Sequence, residues 1–119
     1  MDCSTARIER EISATGIEFD QGSVYEGLCK LADLRSANGK RYRLETVLMI
    51  VIMAKLCGED TPFGIAEWAK HRQEELVKLL CLSRPSMPSH HTYRRILAYK
   101  VYADEVERLV GEYNQQGEH

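Results

Sequence analysis

The sequence predicts an all-α domain, a compact bundle of about five or six helices with a helix-turn-helix-like C-terminal half, and three observations carry that reading. Apolar residues recur at helical spacing through most of the chain from Val24 to Tyr113. The intervening stretches hold Ser, Thr, Asn, Pro and Gly where helix starts, stops and turns favour them. No segment alternates apolar and polar residues with the period of two that a half-buried strand requires.

Residues 1–22 are mostly polar and acidic around Ile8, Ile12, Ile17 and Phe19, which predicts a short N-terminal arm or helix. The helical domain is expected over 23–114. Ser23 and Glu26 have capping-box spacing, and Val24, Leu28, Leu31 and Leu34 continue as one stripe, so a helix is expected over about 23–33. The turn "SANGKRY" follows, centred on Asn38-Gly39. The next helix, about 43–57, contains the unbroken apolar run "VLMIVIMA" and ends at Gly58, a residue suited to a left-handed cap. Being apolar on nearly every side, it belongs at the centre of the fold. Eight apolar residues fall far short of the ~20 needed to cross a bilayer, so no membrane partner is expected.

Thr61 then caps and Pro62 opens another helical stretch, whose stripe runs through Ile65, Trp68, Ala69, Leu76, Leu79 and Leu80; one bent helix and two separate ones both fit it. "SRPSMPS" breaks the chain, and Ser89 is expected to cap a helix that offers Tyr93, Ile96 and Leu97 to the core. A last helix is expected over about 103–114, with Val106, Leu109, Val110 and Tyr113 on one face, followed by a disordered polar tail at 115–119.

The 119 residues carry a formal charge of -2, which argues against a generic polyanion binder, but the charge is unevenly placed. Val77 to Ala103 holds Lys78, Arg84, Arg94, Arg95 and Lys100 with no acid, and Leu34 to Leu44 holds Arg35, Lys40, Arg41 and Arg43 with none. The stretch "PSHHTYRRIL" sets two histidines and two arginines at an expected helix start, where free backbone N–H groups and the helix dipole attract phosphate. Preceded by "ELVKLLCLS", it has the grammar of a helix-turn-helix, although the turn is longer than the usual three or four residues. Read from these residues alone, the stretch fits either contact with duplex DNA or a solvated basic helix face. The candidate DNA-binding residues are Lys40, Arg41, Arg43, Arg84, His90, His91, Thr92, Arg94, Arg95 and Lys100. The exposed side of the helix should carry Thr92, Arg95 and either His91 or Arg94.

The segment from "LADLRSANGKRYRL" through "IAEW" to "PSHHTYRRIL" resembles the N-terminal, DDE-associated domain of bacterial insertion-sequence transposases of the H-repeat (ISAs) family. The resemblance spans roughly 25–110 and rests on Asp33, Arg35, Gly39, Arg41, Tyr42 and Leu44, then Ile65 to Trp68, then Pro88, Ser89, His90, Thr92, Arg94 and Arg95. His91 departs from it, standing where the family more often has an acid. The resemblance implies a non-catalytic, DNA-positioning role in DNA transposition, because in that family strand transfer belongs to a separate RNase H-like domain with metal-binding Asp, Asp and Glu. Five aspartates, no strand pattern and no room for that sheet make an independent enzyme unexpected here. A fragment of a longer transposase and a free-standing remnant both fit.

Other constellations read more simply as structure. His71, His90, His91 and Cys81 lack the spacing of a zinc site, so no metal or cofactor is expected. A nucleophilic pair of Ser89 or Cys81 with a histidine lacks an ordered third group. Trp68 reads as a core anchor. The four cysteines contain no C-x-x-C pair and follow no signal peptide, which suits reduced thiols in a cytoplasmic protein. The alternative function is a helical protein interaction or homodimerisation module. The two readings separate on geometry: DNA is favoured if the 35–43 loop and the helix from Ser89 share one face, and a protein partner if they lie opposite.

Overall fold

The computed structural model describes residues 21–33, 42–80, 82 and 86–117, and these contain six helices and no strand. They are α1 (Gln21–Cys29), α2 (Leu44–Leu56), α3 (Pro62–His71), α4 (Gln73–Leu79), α5 (His90–Leu97) and α6 (Lys100–Gly117). The all-α class is as expected. The expected arm lies outside the described residues apart from its last two, which already belong to α1. That helix starts and ends earlier than the Ser23–Glu26 spacing implied.

At the centre is α2. Of its residues only Glu45 and Lys55 escape burial, so the helix has no solvent face, as its composition required. Each fully buried Leu, Ile, Val or Met here contributes roughly 1.5–3 kcal/mol relative to exposure. Helices α1, α3 and α6 surround it. The two charged residues sit where the helix dipole favours them, Glu45 in the first turn and Lys55 in the last, and Lys55 Nζ reaches Glu107 on α6 at 3.6 Å.

The stop signal of α2 is a complete Schellman motif. Gly58 has φ +103°, its N–H donates to the Lys55 carbonyl at 3.0 Å, and the Glu59 N–H donates to the Ala54 carbonyl at 2.9 Å. The reversed chain then enters α3 through Thr61, whose hydroxyl accepts from the Gly64 N–H at 3.0 Å, with Pro62 as the first helical residue.

The apolar stripe after Pro62 belongs to two helices. Arg72 leaves helical geometry at φ -118°, ψ 23°, folding back so that its guanidinium lies 4.7 Å from the Trp68 ring centroid and donates to the Trp68 carbonyl at 3.0 Å. That carbonyl is one of the unsatisfied acceptors at the end of α3, so one side chain both caps and stacks. Trp68 itself is buried, the core anchor its position suggested.

Helix α6 buries Tyr102, Val106 and Val110, one residue per turn, and its outer face carries an Arg108 bridged to Glu105 and, at 2.9 Å, to Glu112. It starts before the expected boundary at 103 and continues through Gly117, so the polar "NQQG" is helical where a disordered tail was expected. The Tyr102 hydroxyl donates to the Ala32 carbonyl, joining α6 to the segment that leaves α1.

Candidate nucleic-acid interface

Helix α5 is built as an amphipathic unit. Tyr93 and Ile96 are buried, Leu97 packs against the core, and His91, Arg94 and Arg95 are exposed. Thr92 is half-buried, so the outer face carries both His91 and Arg94 rather than one of them. Lys100, the first residue of α6, is exposed just beyond the end of α5. Within the described residues no ion pair engages Arg94, Arg95 or Lys100. Their charge is available to a ligand.

The helix start differs from expectation in one respect. Ser89 has the extended backbone of an N-cap, φ -79° and ψ 167°, but its side chain makes no capping bond. Its carbonyl accepts from the Thr92 N–H at 3.0 Å, and the exposed residue lines a cleft. The support beneath α5 also differs: it packs mainly on α3 and α6, whereas a simple helix-turn-helix reading would have used α4, the helix preceding it in sequence.

Lys40, Arg41 and Arg84 lie outside the described residues. Arg43 is exposed at the N-cap of α2. The residue before it ties the two basic segments together, because the Tyr42 hydroxyl lies 3.2 Å from the Ser86 hydroxyl in the turn leading into α5. Tyr42 also lies close enough to Tyr93 to add to the upward push that burial gives the Tyr93 phenol. Thus Tyr42, at the described end of the 35–43 loop, meets the turn that leads into α5.

Sequence reasoning missed the cleft. About 430 Å³ in volume, it opens between α3 and the 86–90 segment, with Phe63, Ala66, Met87 and Pro88 as its apolar lining and Glu67, Lys70, Gln73 and Ser89 among its polar groups. Phe63 is 61% exposed. Its ring meets His90 edge-on at 5.9 Å, and His90 lies 4.0 Å from His91, so three rings form a row from the cleft to the outer face of α5. The available signal was phase: Phe63 falls off the stripe of Ile65, Trp68 and Ala69 and therefore had no place in the core.

Among the described residues no group of three His, Cys, Asp or Glu side chains could hold a metal ion. Nor is any described helix long and apolar enough to cross a membrane. Cys57 packs half-buried against the core, and Cys81 lies outside the described residues.

No curated protein and no solved structure matches the chain. The model of one family, described as DDE_Tnp_1-associated, matches residues 25–113. That span runs from α1 through most of α6 and includes all of α5, the cleft and the Tyr42–Ser86 contact. The matched unit is the domain associated with DDE transposases, distinct from the catalytic domain for which they are named, and by its extent the chain belongs to the DDE_Tnp_1-associated family.

Proposed function

We propose that this transposase-associated domain binds and positions duplex DNA, using the outer face of α5 with the loop that ends at Tyr42 and Arg43. The observation that supports the reading is the Tyr42–Ser86 contact, which brings the neighbour of Arg43 to the turn leading into α5 from 44 positions away in sequence. Opposed segments would have favoured a protein partner. Unpaired Arg94, Arg95 and Lys100 supply charge for phosphate, and the helical frame holds it in a fixed pattern. In this reading α5 is a helix-turn-helix-like recognition element supported by α3, and the cleavage and joining of strands belong to a catalytic domain elsewhere. If the host is bacterial, as the resemblance to insertion-sequence transposases implies, a DNA partner places the chain in the cytoplasm.

A titration of the purified chain against labelled duplex over a range of salt concentrations tests the proposal. Affinity should fall steeply with salt, because each neutralised phosphate contributes a slope of about -0.9 in the log–log plot. Replacing Arg94 and Arg95 together by Ala should flatten that slope by roughly one or two phosphates and leave thermal melting unchanged. The DNA should be recovered intact with Mg²⁺ or Mn²⁺ present. A parent chain that fails to bind at low salt, or a double variant that keeps the parent slope, refutes the reading and turns attention to exposed Phe63, Tyr99 and Val101 as a protein-binding surface.

A further inference from the structure

We propose that the cleft between α3 and the start of α5 receives an unpaired nucleobase of the bound DNA, stacked on Phe63. The inference rests on the DNA-binding reading and deepens it: the domain would prefer DNA carrying an unpaired nucleotide over an uninterrupted duplex.

The argument begins with Phe63. Thr61 and Pro62 fix the first turn of α3, so Phe63 stands on a rigid element with 61% of its surface open. A large aromatic ring held in water on a rigid support provides a stacking platform, and every base has a π-face to meet it. The cleft volume of about 430 Å³ accommodates a base with part of its sugar.

Charge then sets the direction in which a nucleotide would lie. Among the described residues the cleft lining holds one carboxylate, half-exposed Glu67, 3.8 Å from the His71 imidazole and an acceptor suited to an exocyclic amino group of a base, and one exposed cation, Lys70. Outside, the row of Phe63, His90 and His91 leads to exposed Arg94 and Arg95. A nucleotide satisfies both ends, base inward and phosphate outward. An apolar peptide side chain would fill the cleft yet leave the arginines without a counter-charge.

The test compares a blunt labelled duplex with the same duplex bearing a three-nucleotide single-stranded extension at one end, in 5′ and 3′ versions. The parent chain should bind one extended form about tenfold more tightly than the blunt form, the scale of one aromatic–base stack. Phe63→Ala should remove that preference while preserving blunt-duplex affinity, its salt slope and thermal melting. Phe63→Tyr should restore the preference. Equal binding of blunt and extended DNA by the parent overturns the cleft assignment and leaves the duplex reading standing. Equal weakening of both by Phe63→Ala overturns it as well, as does a Phe63-dependent dimer in sedimentation without discrimination between the DNAs. If the parent binds neither form, the duplex reading itself has failed.

Discussion

Tyr93 is the residue at which burial and polarity most visibly conflict. Its side chain is fully enclosed at the root of α5, and among the described residues its hydroxyl has no hydrogen-bond partner, an arrangement that costs the desolvation of that group without return. Tyr93→Phe should therefore leave the melting temperature at pH 7 unchanged or raised; a loss of more than ~1 kcal/mol would mean the hydroxyl has a partner in solution. The pH dependence has a definite sign. Burial raises the phenol's pKa, with nearby Tyr42 adding to the rise, so the folded state holds the proton more tightly than the unfolded one. The associated stability is complete below the ordinary tyrosine value of about 10 and declines above it. Melting curves between about pH 9 and 11 should consequently fall more steeply for the parent than for Tyr93→Phe. Superimposable pH profiles would contradict the linkage.

Helix ends and interiors give one substitution opposite effects. Gly58 needs φ +103° to reverse the chain after α2, and a Cβ there would meet nothing within 4 Å, so Gly58→Ala should lose about 1–2 kcal/mol through conformation alone. Gly111 lies inside α6, where a Cβ would also meet open space, and Gly111→Ala should gain ~0.5–1 kcal/mol. Chemical denaturation of the two variants checks the pair; matching signs would overturn the assignment of their roles. Gly58, Thr61 and Pro62 were legible in the sequence because each acts on its immediate neighbours. The break at Arg72 was not, since it depends on a guanidinium folding back over the Trp68 ring, and neither helical periodicity nor propensity reports that contact. Ser89 failed for a related reason. Its residue type and backbone suit a cap, but the exposed side chain, at the lining of the cleft, makes no capping bond.

For the whole molecule the dominant fact is that α2 is enclosed by the other helices. Ile50 at its middle has no exposed surface, and Ile50→Asp should cost ~4 kcal/mol, enough to unfold a domain of ordinary stability or nearly so. An unchanged melting temperature for that variant would remove α2 from the centre. This core was readable from eight consecutive apolar residues, and the exposed cations of α5 from the spacing of Tyr93 and Ile96. The cleft was not readable, because it exists only where α3 meets α5 across a chain separation that no local pattern spans. The same enclosure governs how the protein is made. Helix α3 begins only six positions after α2 ends, but α6, the last of its cover, is completed roughly 60 residues later, about 3–12 s at 5–20 residues per second. Throughout that interval the face of α2 that α6 covers stays open, so the nascent chain exposes part of an apolar helix until its last residues are made.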